Sequence, residues 1–513
     1  WTRPTFAAAD GKTAKTHTYK NASIGTFCQE HLASDAAGMV WIAFCGQLFD
    51  KIATEQNILS RYLETGSSCF SELDGEYSFI ILDTRSQELF AVRDRLGVYP
   101  LYWHVNTKSA YISTSIKAIL STGAISPTPD LAGIAQSLAL GFISQDVTCI
   151  EGINRLLPGY YLKLNLAGSF SITPYWSYSS TFEQEYSRGF DSSIDIYCDL
   201  ERQINASIAR RAPGKNAACL SGNIGSYIIW DALQGKSNIS LLEIEPTADD
   251  FLASIVQMVW AMEMPNAQVG ALTSWKYINA CKEQNLTCFF DTGFSAEFYD
   301  YSKEAQELFQ SHYLVPRNFE PSFWSKLGFR LNPKKSLSTL RRMQEATPQI
   351  AFVENKLLIS PDEFADAAPE LGRYFDVSLF INQFYNLKRI RKLDASLFYL
   401  TLKSTVTDSL SESRLRFAHA CGVQAQSPFL DYRLLEFFSS LPPEIWASPD
   451  LLSAFPKYWL QNKEITGDVA AWPKASPMPD AIFLSKDVWP WFCGLEKSRL
   501  VETGLVHPKW IKK

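Results

Sequence analysis

Short alternating apolar runs fill the first third of the chain, and longer helical stripes follow. Residues 38–49 (GMVWIAFCGQLF) and 76–83 (EYSFIILD) predict strands from their β-branched and aromatic content. Two more are expected at 87–93 (QELFAVR) and 110–114 (AYIST), set apart by turn residues such as Asp94 and Gly97. Helical spacing sets in at 130–140, and 160–164 with 169–173 predicts a closing strand pair behind Leu157-Pro158-Gly159.

Past residue 180 the period changes. Residues 194–211 read as an amphipathic helix, 217–220 as a short buried strand and 227–233 as the helix after it. Further strands are expected at 240–244 (SLLEI) and 286–290 (LTCFF), with a helix between them. That alternation predicts a parallel sheet with helices on both faces. From about Phe375 onward nearly everything reads as helix. The chain therefore divides into residues 1–180 and 181–513, as its 513 residues lead one to expect, because single cores stop growing near ~250–300 residues.

Charge narrows the function. With 48 Lys and Arg against 54 Asp and Glu the net charge is −6, and no basic stripe is present to track phosphates, so nucleic acid is not the expected partner. The longest apolar runs, such as 77–82, fall far short of the ~20 residues a membrane helix needs. Trp1-Thr2-Arg3-Pro4 lacks the apolar core of a signal peptide, although a chain starting at Trp leaves its true beginning open. Ten cysteines are scattered singly between Cys28 and Cys493, without Cys-x-x-Cys spacing. They are expected to be reduced, in a cytoplasmic protein, and the few scattered histidines predict no histidine metal site.

The stretch most suggestive of chemistry is Asn216-Ala217-Ala218-Cys219-Leu220-Ser221-Gly222-Asn223-Ile224-Gly225-Ser226-Tyr227. A strand, a loop of small residues and an apolar helix form a phosphate cradle, in which backbone N–H groups and the helix dipole favour an anion. Any tight strand-to-helix turn uses the same residues, so the stretch alone does not decide the matter.

Four blocks in order do more. They are Leu73-Asp74-Gly75-Glu76-Tyr77-Ser78-Phe79, the run Ala91-Val92-Arg93-Asp94-Arg95-Leu96-Gly97-Val98-Tyr99-Pro100-Leu101-Tyr102 with Leu157-Pro158-Gly159, the loop Ser221–Tyr227, and Ser427-Pro428-Phe429-Leu430-Asp431-Tyr432-Arg433-Leu434-Leu435-Glu436-Phe437 with Leu441-Pro442-Pro443-Glu444. Over residues 38–490 they resemble glutamine-dependent asparagine synthetases, whose loop is SGGxDSS and whose later block is PFLDxRLVEF…LPPE. The resemblance implies an α/β protein with an amino-terminal Ntn-type αββα sandwich over 1–180. It implies a carboxyl-terminal ATP-pyrophosphatase domain with a parallel sheet and a helical tail over 181–513. It also implies ATP and Mg²⁺ as cofactors and a carboxylate activated as an acyl-adenylate before an amine attacks.

Departures from the family pattern reshape that expectation. The family's glutaminase uses an amino-terminal cysteine as nucleophile, whereas here Trp1 stands first and Cys28 is internal. Cys45-Gly46-Gln47 replaces an Asn-Gly-Glu element, and an acidic recognition loop is missing before Tyr62. The chain thus resembles the β-lactam synthetase and lasso-peptide cyclase branches, which take the amine from the substrate itself. Gly225 stands for the loop's aspartate and Asn223 for its second glycine, and Ala296 replaces the aspartate of the later GxGxDE element, so both usual magnesium ligands are absent. Gln424 and Gln426 stand where the family has Glu and Arg.

Candidate site residues follow from the resemblance. Lys474 occupies the family's RPK lysine and is the catalytic candidate. Ser221, Gly222, Asn223, Gly225, Ser226 and Lys457 would face the phosphates, and Asp291 and Glu297 would supply replacement metal ligands. The expected function is an amide- or lactam-forming ligase without glutaminase activity, acting on a natural-product or peptide carboxylate whose amine is internal or separate. The alternative is a pseudoenzyme scaffold working with a protein partner or a second copy. Plainer readings stand beside these: Lys474 as one of many solvated lysines, Glu297 as a first-turn residue, and Asp431 as a helix cap. In the same vein, Arg93, Asp94 and Arg95 read as a packed ion-pair cluster, and the aromatics at 458–459 and 489–492 as core or interface.

Overall fold

Alternation gives each early strand two apolar faces, and each face finds its own partner. A computed structural model describes residues 15–20, 22–26, 31–49, 54–144, 146–177, 193–211, 216–220, 224–234, 238–267, 270–293, 357–359, 361–375, 411–441, 455–462 and 488–507, together with Val353, Tyr399, Leu400 and Leu402. Strands β1 (Lys15–Tyr19) and β2 (Ala22–Thr26) form an antiparallel hairpin. The chain continues through β3 (Leu32–Ser34), β4 (Val40–Leu48), helix α1 (Glu55–Thr65), β5 (Gly75–Asp83) and β6 (Glu88–Arg93). After these come β7 (Tyr102–Val105), β8 (Ala110–Ser113), α2 (Ile116–Leu120), α3 (Leu131–Leu140), β9 (Asn154–Arg155), β10 (Tyr160–Asn165) and β11 (Phe170–Pro174).

Six strands in the order β11-β10-β6-β5-β4-β3 make one antiparallel sheet, and β8-β7-β9 make another. Phe79 and Ile81 of β5, with Phe90 and Val92 of β6, pack on Ile58, Leu59 and Tyr62 of α1. Ala91, one residue out of step, joins Leu162 and Leu164 in packing on Leu101 and on Trp103 and Ile112 of the smaller sheet. The other face of that sheet sets Tyr102 against Ile116 and Ile119 of α2. The result is the four-layer αββα sandwich, and period-two alternation is what allows it. Gly46 lies at φ 135°, where a Cβ would come within 2.2 Å of the Glu76 carbonyl oxygen, so β4 and β5 approach closely beside Gln47.

Beyond residue 192 comes α4 (Ser193–Arg211), which buries Ile196, Leu200, Ile204, Ser207, Ile208 and Arg211 at helical spacing. Strands β12 (Ala217–Leu220), β13 (Ile239–Leu242), β14 (Cys288–Phe290) and β15 (Gln424–Gln426) pair in parallel in the order β13-β12-β14-β15. Between them run α5 (Ile224–Leu233), α6 (Ala248–Met262), α7 (Ala271–Glu283) and α8 (Ser411–Cys421), and α9 (Tyr432–Ser439) and α10 (Phe455–Asn462) follow. A capping box starts α6, with the Asp250 amide donating to the Thr247 hydroxyl and the Thr247 amide to the Asp250 carboxylate.

The segment after Phe375 is not all helix. Gln-Ala-Gln is too short and too polar to read as a strand, yet its backbone completes the parallel sheet because Ala425 and Gln426 are buried there. The Arg93-Asp94-Arg95 cluster is also built differently from the expected ion pairs. Arg93 donates to the carbonyls of Tyr99, Gly97 and Leu156 at 2.9, 2.7 and 2.6 Å. Asp94 accepts from the amides of Leu96, Val98 and Tyr99 at 3.0–3.1 Å, and Arg95 donates to the Ser71 and Leu73 carbonyls while lying over the Tyr432 ring. Each of the three is spent on backbone, which fixes the turn that carries Leu96, Val98 and Tyr99 into a core shared with the second half of the chain.

Candidate functional site

Strand order locates the site. From β12 the chain moves outward to β13, then crosses back to place β14 on the other side of β12. The crevice beyond the carboxyl ends of β12 and β14 is therefore the point where the strand order reverses, the place where open parallel sheets hold ligands. β12 ends there at Leu220, and α5 begins at Ile224. Register pairs Cys219 with Phe290, which brings Asp291 beside the end of β12.

Of the phosphate-loop candidates, Gly225 and Ser226 lie in the first turn of α5. Both are buried, with Ser226 fully so. Ser221, Gly222 and Asn223 fall outside the described residues, as do Ala296, Glu297 and Lys474. Lys457 is exposed on α10, a helix that packs through Phe455 and Tyr458 on Tyr197 of α4. Among the described residues no contact joins Lys457 to Asp291. Trp459 is core, as expected, whereas Trp489 is 40% exposed.

Asp291 is buried, and its carboxylate is already engaged. Oδ1 accepts from the Gly293 amide at 2.8 Å and pairs with Arg414 Nη1 from α8. Its own amide donates to the Gln426 carbonyl at 2.7 Å, tying it to β15. Glycine at 293 is what lets the guanidinium in, since a Cβ there would stand 2.3 Å from Arg414 Nη1. Motif reading misses Arg414, because no local pattern marks a partner 123 positions away.

A second polar cluster lies between the two halves. Gln47 of β4 donates to Gln426 Oε1 at 2.8 Å and accepts from Gln424 and Gln426 at 2.7 and 2.8 Å. Beside it Arg211 binds Glu76 through Nε at 2.9 Å and Asp431 through Nη1 at 2.9 Å, and its guanidinium lies 4.1 Å from the centre of the Phe49 ring. Arg210 adds a 2.6 Å bond to Asp431, which also caps α9 by accepting from the Arg433 amide at 3.0 Å. The cap reading of Asp431 thus holds, with ion pairs added. Burial raises Asp431, but Arg211 and Arg210 outweigh it and hold the carboxyl far below its usual range. Glu76 shares one guanidinium with that stronger competitor, and burial pushes it up to about 7 with Arg211 only partly offsetting the rise.

Helix α8 links both places. Glu412 reaches back to Arg155 of β9 at 2.9 Å and to the Tyr102 hydroxyl, two residues before Arg414 points at Asp291. Burial opposes the Glu412 charge, but Arg155, Arg416 and Arg93 keep its carboxyl below the usual range. None of the nine described cysteines forms a disulfide. Burial pushes the thiols of Cys69, Cys281 and Cys288 up to about 12 and that of Cys149 to about 11, which leaves these four poor nucleophiles. No helix among the described residues is long and apolar enough to cross a membrane.

Comparison with known proteins fits this geometry. The glutamine amidotransferase domain family matches residues 46–176, over the antiparallel sandwich, and the asparagine synthase family matches residues 236–460, over most of the parallel sheet. The chain belongs to the asparagine synthetase-like family. An asparagine synthetase (glutamine-hydrolyzing) 3 of Bacillus subtilis is 27% identical over 187 residues, 36% of this chain and 29% of that protein. The amidase chry2 of Gibberella zeae is 28% identical over 171 residues, 33% of this chain and 25% of its own length. The aligned stretches thus span less than a third of these relatives. A Bacillus subtilis glutamine phosphoribosylpyrophosphate amidotransferase structure aligns with 51% of this chain and 63% of its own, at 14% identity and a TM-score of 0.21, too slight to argue from.

Members of this asparagine synthetase-like family use ATP and Mg²⁺ generally. The described residues do not fit a magnesium ion at the sheet's carboxyl edge. Asp291 is taken by Arg414 and Gly293, position 225 carries no side chain, and no group of three His, Cys, Asp or Glu side chains stands together among the described residues. Magnesium demands oxygen ligands in near-octahedral array, and a carboxylate locked to a guanidinium offers a poor one.

Proposed function

We propose that this chain is an ATP-dependent, AMP-forming synthetase that joins a carboxylate to an amine without hydrolysing glutamine, working on a small-molecule or peptide intermediate of natural-product maturation. Its division into a sandwich over 1–180 and a synthetase half over 181–513 belongs to the same proposal, as does a role for Lys474. The observation that carries the reading is the reversal of strand order between β12 and β14, with α5 beginning four residues after the end of β12. In the reaction a carboxylate oxygen of the substrate attacks the α-phosphorus of ATP and pyrophosphate leaves. The amine nitrogen then attacks the acyl carbon, the C–O bond to AMP breaks, and the amine's proton passes to solvent. Lys474 would stabilise the negative charge that builds on the acyl oxygen.

Loss of glutaminase activity is supported by what the sandwich residues are doing. Gln47 and Asp94 are committed to protein partners, and burial pushes the thiols of Cys69 and Cys149 up. A second reading, a scaffold without nucleotide chemistry that serves a protein partner, is favoured by the engagement of Asp291 with Arg414. ATP–pyrophosphate exchange over a panel of carboxylates, run in Mg²⁺, in Mn²⁺ and in EDTA, separates the two. Carboxylate-dependent exchange at least tenfold above background is expected. Silence in every buffer, with no ATP binding by calorimetry at millimolar nucleotide, would establish the scaffold instead.

A further inference from the structure

The described residues at the carboxyl edge do not fit the family's metal, but a cation is already present there. Arg414 Nη1 holds Asp291 Oδ1, and Gly293 leaves the space that the guanidinium fills. The arginine side chain keeps 19% of its surface exposed while Asp291 keeps 6%. Among the described residues Asp291 is the one bonding partner of that guanidinium, so Nε and Nη2 still have hydrogen bonds to donate. Guanidinium donors match phosphate oxygens in pairs, and the amino end of α5 opens from the neighbouring strand with its dipole's positive end toward the same crevice.

We propose that Arg414 is the resident cation of this site: it holds Asp291 where a divalent metal would otherwise be bound and offers its remaining donors to a phosphate or pyrophosphate group, so that an anionic ligand binds at the carboxyl edge without a metal ion. The inference rests on the reading of this edge as a nucleotide site but is narrower, since it concerns what neutralises the anion. Helix α8 gives the cation a fixed base, because Glu412, two residues earlier, is bonded to Arg155 and Tyr102 of the sandwich. A fixed guanidinium need not be gathered from solvent when the anion arrives, as a hydrated magnesium ion must be.

The test is calorimetric titration of the full chain with ATP and separately with inorganic pyrophosphate, in 5 mM Mg²⁺ and in EDTA. Binding in EDTA within about threefold of binding in Mg²⁺ is expected for the unaltered chain. Arg414→Met is expected to weaken binding in EDTA by at least tenfold, and Arg414→Lys, which keeps the charge but loses the fork, by less. Gly293→Ala provides a second route that spares the charge: the new methyl pushes the flexible end of Arg414 off Asp291, and an intermediate loss is expected. Circular dichroism confirms that each variant is folded. Binding that requires Mg²⁺, or that survives both Arg414→Met and Gly293→Ala unchanged, overturns the inference and leaves the nucleotide reading standing. Metal-free pyrophosphate binding with no ATP binding supports the inference while sinking the nucleotide reading. Failure of both ligands in every buffer overturns both.

Discussion

Two arginines of this chain show how an ion pair can serve structure or ligand. Arg211 is 4% exposed and saturated: Glu76, Asp431, the Ser207 hydroxyl and the Leu430 carbonyl take its donors, and Phe49 covers its face. Arg414 is about one-fifth exposed and holds a single carboxylate. The first arginine joins two halves of a molecule and leaves nothing over for a visitor. The second, among the described residues, has donors to spare beside the crevice where the strand order reverses. The difference lies in saturation rather than in charge, and saturation can be measured one side chain at a time.

Removing the saturated arginine should cost the most. Arg211→Met keeps the bulk but leaves Glu76 with only the 3.3 Å bond from Gln47, and leaves Asp431 with Arg210, the Arg433 amide and a 3.8 Å pair to the Arg433 side chain, each carboxyl at most 3% exposed. Breaking a buried pair from one side costs about 3–5 kcal/mol, because the remaining charge is neither solvated nor paired. The urea midpoint should fall accordingly, with the slope unchanged. A loss below about 1 kcal/mol would mean that the seam is not held by this residue, and the contrast with Arg414 would fail.

The same seam should carry a pH signature. Glu76 titrates near 7 in the folded chain against an ordinary value of 4.5. Between those pH values the folded state keeps a proton that the unfolded state has released, so stability falls as pH rises from about 4.5 to about 7 and levels off above. The contribution is at most about 3 kcal/mol. Glu76→Gln keeps an acceptor for Arg211 Nε and removes the titration. The stability difference between the unaltered chain and Glu76→Gln should therefore shift steadily against the unaltered chain across that window. A difference that stays constant with pH would show that Glu76 remains ionised throughout, and that Arg211 satisfies two carboxylates equally.

How far the sequence foretold these places depends on how local their causes are. Ala217–Leu220 is legible as a strand because four small apolar residues between a helix and a glycine-rich turn have few other uses. The helix ending at Leu140 announces its start through Asp130, whose carboxylate accepts from the Gly133 amide at 2.8 Å. The Phe90/Ala91 alternation gives both faces of the sandwich. Gln424–Gln426 gives no such sign, since a strand of two glutamines and an alanine is decided by the β14 backbone beside it. Gln47 and Gln426 are noticed as family departures, but their meeting across 379 positions is invisible in either segment. Arg414 is the extreme case: it lies in no motif, and its partner is set by the packing of α8 against the sheet's edge.

The smallest effect is expected at that last residue, and its smallness is the point. Arg414→Met leaves Asp291 with the Gly293 amide at 2.8 Å. The lost pair was partly solvated on the arginine side, so the stability cost should be about 1 kcal/mol, well under that of Arg211→Met. Urea unfolding of both variants at pH 7.5 and one salt concentration gives the comparison directly. If Arg414→Met costs as much as Arg211→Met, its guanidinium is a structural bolt like the other, and the spare donors at the crevice serve the fold. If it costs little while metal-free pyrophosphate binding falls tenfold, the arginine serves a ligand rather than the fold, because a pair that adds almost nothing to folding leaves the guanidinium's other donors for the anion.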